Sequence, residues 1–379
     1  MSEHDFYLTK NSFLSNNYGA FLTEIGSRRE RPLKMLAPMM TQNFGDMFNF
    51  TTVAARYAAA FDHSFCSFLV DTSRPYTHDI VAFYPFEHQV LAVNGSWGDI
   101  PLLAVASGIQ KLDWTEKNYH DLILTSALLS TVHVADLPKC TLRVPAELSP
   151  GLDARLQSFG LKPDRWFATM HWREPSYEFK RISNPRDADP RGFHPLVDFV
   201  IDALGGQVVL LGHPEMHRPA PREGLIDLAE VERSWNLQAH AMANARFFAG
   251  SPSGALAMAH AFLVPAAQLD TMDWYAFIDH DIMLTPKLKL PNGEVLRQEE
   301  YFRSGWMQSA KITRALRDGI AIEIQKSTTD EMKQAIQQIY IETDGVTGWR
   351  EPVPTPTSRP NRIGFPPSGK LTPRFLDLD

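Results

Sequence analysis

The chain has 379 residues, 44% of them apolar and 21% charged, with a formal net charge of -7. That length exceeds what one hydrophobic core usually serves, so two domains are expected, and the composition excludes a wholly disordered chain. The acidic balance argues against a dedicated nucleic-acid binder, which carries a basic surface excess.

Two cysteines, Cys66 and Cys140, cannot build a disulfide framework, and no CxxC pair is present for zinc. A reducing cytoplasm is the expected compartment. The first residues, MSEHDFYLTKNSF, are polar where a signal peptide needs an apolar stretch. The longest apolar region, residues 254–269, is interrupted by His260 and Pro265 and is too short to span a bilayer, so no transmembrane segment is expected.

In chain order, residues 1–30 read as an arm or first helix. Residues 33–40 (LKMLAPMM) read as a buried strand, TQNFGD as a loop, and 47–61 as a helix. Strand, glycine-containing loop and helix open an α/β unit. Short apolar runs follow at 67–70, 80–84, 89–93 and 102–106, then a helical pattern at 114–129 and a strand at 141–144. Composition changes over 145–163, which places a domain boundary there: 1–150 as an N-terminal domain and 151–325 as a C-terminal one. The second half alternates strand 167–171, helix 193–204 closed by Gly205-Gly206, strand 207–211, helix 237–244, strand 245–249 and helix 253–262. That alternation predicts a parallel sheet with helices on both faces. Residues 326–379 read as a C-terminal helix and a Pro-rich tail. The apolar residues Trp349, Ile363, Phe365, Phe375 and Leu376 favour a strap over the surface.

The strongest chemical signal is FATMHWREPSY at 167–177. It sets His171 and Arg173 at the end of a strand, where open α/β sheets bind ligands. A guanidinium stays charged and meets phosphate oxygens in a planar, bidentate way; the plainer reading pairs Arg173 with Glu174 or Asp187. The second signal is FFAGSPSG at 247–254, which leads into a helix. Gly250 and Gly254 permit close backbone approach, Ser251 and Ser253 add hydroxyls, and helix-start N–H groups attract anions. The alternative is an ordinary serine N-cap. Pro252 stands where a serine-hydrolase elbow needs its nucleophile, which excludes that class. Together the two signals predict a diphosphate pocket.

Gly212-His213-Pro214 follows strand 207–211 and is a candidate contact to base or ribose, or simply a turn. Gly45-Asp46 follows the first strand. Asp46 is a candidate general base, its alternative being a helix cap. Acidic D-x-D occurs at 187–189, 279–281 and 377–379, but none ends a strand beside the pocket, so no metal and no cofactor are expected, a divalent ion on the DHD stretch at 279–281 being the alternative.

Residues 160–275 resemble the core of a bacterial glycosyltransferase family of GT-B fold. Its pattern runs HxRExxY, an R-N/D pair, G-x-P, I-D and F-x-G-[ST]-x-[SG]-G. This chain offers His171, Arg173, Glu174 and Tyr177; then Arg186-Asp187, Gly212-His213-Pro214 and Ile226-Asp227; then residues 248–254. LTPRFL near the end also looks like that family. The chain is more distantly similar to GT-B fucosyltransferases, where a His-x-Arg binds the donor diphosphate beside a serine-rich loop. It is similar too to heptosyltransferases, whose Gly-Asp after the first strand corresponds to Gly45-Asp46.

The resemblance implies two Rossmann-like domains facing across a cleft and a nucleotide diphosphate sugar donor, GDP- or UDP-linked. The acceptor is a glycan, a lipid-linked molecule or a protein. Donor contacts are implied at Gly45, His171, Arg173, Tyr177, Arg186, Gly212, His213, Asp227, Ser251, Ser253 and Gly254, with Asp46 and Arg173 catalytic. The family often carries an arginine in the strand before G-x-P, where this chain has Leu210-Leu211, and Pro252 stiffens the serine loop. A nucleotide-sugar epimerase and a non-catalytic sugar-nucleotide-binding subunit are the alternatives.

Overall fold

The computed structural model describes residues 34–39, 43–61, 64–71, 76–93, 122–124, 140–174, 184–231, 234–273, 277–278, 281–351, 363–364 and 374–378. The elements expected at 1–30 and 102–106 lie outside them, as does most of 114–129. The chain divides into two compact units, Met1–Arg143 and Val144–Asp379.

The first unit contains β1 (Lys34–Pro38), α1 (Phe44–Ala60), β2 (Phe65–Asp71), α2 (Thr77–Val81), β3 (His88–Val93) and β4 (Leu122–Ile123). Its four strands pair in the order β3-β2-β1-β4, all parallel. The helix α1 is alanine-rich and buried through most of its length, from Met47 to Ala58. Its two buried threonines are tolerable there because their hydroxyls donate back to the carbonyls of Met47 and Phe48, each at 2.8 Å. Three expectations are corrected. Gly45 and Asp46 stand in the first turn of α1, not in a loop before it. The apolar run at 80–84 ends a short helix rather than forming a strand. Residues 141–144 form no strand; Arg143 instead donates its N–H to the Phe83 carbonyl at 2.8 Å.

The second unit starts with α3 (Ser149–Ser158), β5 (Phe167–His171) and α4 (Pro190–Asp198). Asp189 caps α4 by accepting from Arg191 N–H, and Pro190 occupies the first turn, where a missing N–H costs nothing. Pro195 withholds an N–H inside the helix, which runs on as a π-turn, Phe199–Ala203. Gly205, at φ +72°, ends it. Then come β6 (Gln207–Leu210), β7 (Leu225–Asp227), α5 (Trp235–Ala243), β8 (Phe247–Gly250), α6 (Gly254–Ala261), β9 (Ala266–Leu269), β10 (Phe277–Ile278) and β11 (Ile282–Leu284).

Six strands pair in the order β11-β9-β8-β5-β6-β7, all parallel. The central strands β5, β6, β8 and β9 are buried at nearly every position, as strands covered on both faces must be.

A small antiparallel sheet, β12 (Lys287–Lys289), β13 (Val295–Leu296) and β14 (Glu323–Gln325), has its own core with α7 (Gln298–Arg303) and α8 (Ser309–Arg317).

The last helix, α9 (Thr329–Glu342), opens with a full capping box between Thr328 and Glu331. It sets Met332, Ala335, Ile336 and Ile339 into the core of the six-stranded sheet, so the helix expected at the start of 326–379 is an integral part of this unit. Each buried isoleucine contributes roughly 1.5–3 kcal/mol of transfer free energy. Farther on, Trp349 packs on Phe167, β15 (Ile363–Gly364) pairs with β10, and Phe375 bridges to Met283. Those contacts make the described parts of the end a strap. Among the described residues no helix is long and apolar enough to cross a membrane.

Candidate functional site

The six-stranded sheet changes winding direction between β5 and β8. From β5 the strands step outward through β6 and β7; from β8 they step the other way through β9 and β11. Connections that leave in opposite directions open a crevice beyond the carboxyl ends of the two middle strands, the place ligands take in such sheets. The pairing of His171 with Gly250 brings both sequence signals level at that edge.

Gly250 is required there. A Cβ on it would lie 2.0 Å from the His171 carbonyl oxygen, so no side chain fits. The buried Ser251 then stitches the two strand ends together. Its N–H donates to the His171 carbonyl at 3.2 Å, and its hydroxyl accepts from Arg173 N–H at 2.7 Å. The Ser253 hydroxyl lies 3.0 Å from His171 Nδ1. Burial pushes the His171 imidazole down to about 3, with the charges of His213 and Arg173 adding to it, so the ring is neutral near pH 7.

Because Ser253 turns its hydroxyl to His171, α6 begins without a side-chain cap, and its first turn holds no acid. The positive end of that helix therefore has neither a side-chain cap nor a first-turn carboxylate to balance it. Beside it, Arg173 is 24% exposed and gives its Nε to Asp187 at 3.1 Å. Its two terminal nitrogens make no hydrogen bond among the described residues. Asp187 also accepts from Asn184 N–H at 2.7 Å, and Ala188 N–H donates to the Arg173 carbonyl at 2.8 Å. Those contacts fasten segment 184–188 to the end of β5. Arg186 stands 3.6 Å from Asp273, and its buried Nε has no hydrogen-bond partner among the described residues. His171, Arg173, Arg186, Ser251, Ser253 and Gly254 are thus brought to one edge, with cationic and N–H donors and neutral hydroxyls suited to an anion.

Other expected contacts are committed elsewhere. Gly212, at φ +148°, gives its N–H to Gln238 Oε1 at 3.1 Å, and its carbonyl accepts from Gln238 Nε2 at 2.9 Å. Both backbone groups are therefore spent inside the fold. Asp227 accepts from Ala229 N–H at 3.0 Å and from Arg218 at 3.2 Å, which holds the turn after β7. His213 is half-buried, and burial lowers its basicity; it bears on the site through its charge effect on His171. Glu174 is buried and accepts from Trp172 Nε1 at 2.8 Å and His217 N–H at 3.0 Å, tying the loop after β6 to the end of β5. Gly45 and Asp46 belong to the first unit, and Tyr177 lies outside the described residues.

The D-x-D stretches are structural where described. Asp187 holds Arg173, Asp189 caps α4, and buried Asp281 lies 2.8 Å from His260 Nε2. Among the described residues no group of three histidine, cysteine or acidic side chains could hold a metal ion.

Of the two partners that the plainer reading offered Arg173, the structure takes Asp187; sequence reasoning missed Asp273 and Lys326. The Arg186-Asp187 pair was visible as a motif. Lys326 had no local signal beyond the Thr328–Glu331 capping spacing just after it.

No protein-family model matches the chain, and no curated protein matches it by sequence. Among solved structures, a glycosyl transferase of family 9 from Veillonella parvula DSM 2008 aligns over 83% of this chain and 99% of its own, with a TM-score of 0.53 and 12% identity. The fold is GT-B. The expected α/β class with two Rossmann-like units is correct in that respect, and the β5–β8 edge is the switch point of the second GT-B unit. Two E. coli proteins align less closely. ADP-heptose lps heptosyltransferase II covers 62% of this chain and 84% of its own, with 16% identity and a TM-score of 0.42. Heptosyltransferase WaaC, solved with ADP-2-deoxy-2-fluoro heptose, covers 76% and 100%, with 12% identity and a TM-score of 0.38.

Proposed function

We propose that this chain is a glycosyltransferase that moves a sugar from a nucleotide diphosphate sugar, GDP- or UDP-linked, to a hydroxyl of a glycan, lipid-linked or protein acceptor. The observation that carries the reading is the switch-point cradle. Arg173, with both terminal nitrogens uncommitted among the described residues, stands beside the uncapped, acid-free start of α6. Two such donors are suited to the charge that gathers on a departing diphosphate.

In the reaction, the acceptor oxygen forms a bond to the anomeric carbon. The bond from that carbon to the phosphate oxygen breaks, and the nucleoside diphosphate leaves with the electron pair. Arg173 and the α6 N–H groups neutralise it, so the chemistry proceeds without a metal. The acceptor proton passes to a carboxylate, for which Asp46 is the proposed base, and attack from the face opposite the leaving group inverts the anomeric centre. His171 stays neutral beside Ser253, so it adds no charge that would hold the product.

The test is turnover in EDTA of GDP- and UDP-sugars, read by mass spectrometry, for wild type and Arg173→Ala. The expected product is free nucleoside diphosphate, formed about 10²–10³-fold more slowly by the variant. Undiminished turnover in the variant removes the proposal. An isomer of the donor as product makes the chain an epimerase, and ligand-induced stabilisation without turnover makes it a binding subunit.

A further inference from the structure

The segment between β14 and α9 reaches back to segment 184–188 over a long stretch of sequence. At the end of β9, Asp270 sits in the left-handed region at φ +55°, where aspartate is among the few tolerated residues, with its side chain buried. Its Oδ1 accepts from Ser327 N–H at 2.8 Å, and the Ser327 hydroxyl reaches the Thr285 carbonyl at 3.4 Å. Ser327 is thereby held to the ends of two sheet strands. Its neighbour Lys326 is half-buried and donates to the Pro185 carbonyl at 2.6 Å. That carbonyl lies in the same short segment as Asp187, which accepts from Arg173 Nε at 3.1 Å. The ammonium also lies within the electrostatic field of Asp187 and Asp270. Charge therefore alternates through the cluster: Arg173, Asp187, Lys326, Asp270.

We propose that Lys326 is a positioning residue for the diphosphate subsite, acting through Asp187 on Arg173; the inference rests on the donor-site reading above. Two physical effects follow from the geometry. The bond to Pro185 fixes segment 184–188, and with it the carboxylate that aims the guanidinium. The ammonium also shares the charge of Asp187, so Arg173 keeps more of its own field for a bound anion. Without Lys326, Asp187 keeps the Asn184 N–H but loses a second cation, and its charge falls more fully on Arg173. The burial of the ammonium makes it costly to hold there without carboxylate partners, and Asp187 and Asp270 supply them.

The test is a double-mutant cycle on the full-length chain, with affinity for UDP, GDP and ADP measured by calorimetry and the tightest ligand of wild type carried through. Lys326→Met is expected to weaken that ligand about tenfold in the wild-type background, and by less than about twofold when Arg173 is already alanine. Lys326→Gln, which keeps a donor for Pro185 but no charge, separates the two effects and serves where the methionine variant does not fold. Lys326→Arg is expected to restore affinity to within about threefold of wild type. Equal losses in both Arg173 backgrounds, or no loss in either, overturn the role of Lys326 while leaving the donor site standing. If Arg173→Ala itself binds the ligand as wild type does, or no diphosphate binds wild type, the donor-site reading fails and this one with it.

Discussion

After β1 the chain enters α1 through Asn43, and the first turn of that helix carries its own acid, Asp46, to which the Asn43 amide donates at 3.1 Å. After β8 it enters α6 through Ser253, whose hydroxyl is drawn aside to His171, and the first turn holds no acid. Both are strand-to-helix turns at the carboxyl edge of a parallel sheet. One helix start is already balanced by a carboxylate; the other has none in its first turn and has an arginine beside it. A glycine-bearing strand-to-helix turn is therefore not one kind of site. What the first turn and its neighbours do with the helix dipole decides whether it suits an anion or presents a base.

The sharpest use of that difference is at the acidic turn. Asp46→Asn should lower transfer by about 10²–10⁴-fold, read from initial rates, while calorimetry shows nucleoside diphosphate affinity within about twofold of wild type. Loss of binding instead would mean that the two turns do not divide the labour in this way. At the other turn, Gly250→Ala drives a Cβ into the His171 carbonyl. It should destabilise the chain by about 2–4 kcal/mol in denaturant unfolding and abolish diphosphate binding.

A milder change makes the second turn resemble the first. Ser253→Asp puts an acid at the N-cap of α6. It should weaken diphosphate binding by about tenfold while leaving stability unchanged or slightly raised, a split that thermal unfolding and calorimetry would show together.

The smallest effect is on pH dependence. The His171 imidazole is held down to about 3 from its ordinary 6.5, so between those values the unfolded chain takes up a proton that the folded chain refuses. This contribution to stability is complete above pH 6.5 and is lost as pH falls toward 3. His171→Gln should therefore flatten part of the acid-side fall in an unfolding series. An unchanged slope would show that the ring is not held neutral.

The second unit was legible because its central strands are continuous apolar runs, FATMH and QVVL among them, separated by helices closed by glycine. Within the apolar run 254–269 the expected helix 253–262 is present as α6, ended by Leu263 at φ +54°, while β9 after Pro265 carries no local signal that sets it apart from the run. In the first unit, residues 114–129 carry a pattern that suits a helix. Leu122 and Ile123 instead pair parallel with β1, a tertiary choice that local periodicity does not contain. The same division runs through the candidate site. His171, Arg173, Ser251 and Ser253 announce themselves within two short motifs. Asp273, Asp270 and Lys326 do not, since only the closure of β9, β14 and α9 around the sheet brings them to Arg186 and to segment 184–188.

The central claim is most directly tested by determining the structure of the chain with its tightest nucleoside diphosphate bound. The account predicts phosphate oxygens about 3 Å from the first-turn N–H groups of α6 and from the terminal nitrogens of Arg173. A diphosphate bound at any other edge, with Arg173 still turned only to Asp187, would contradict it.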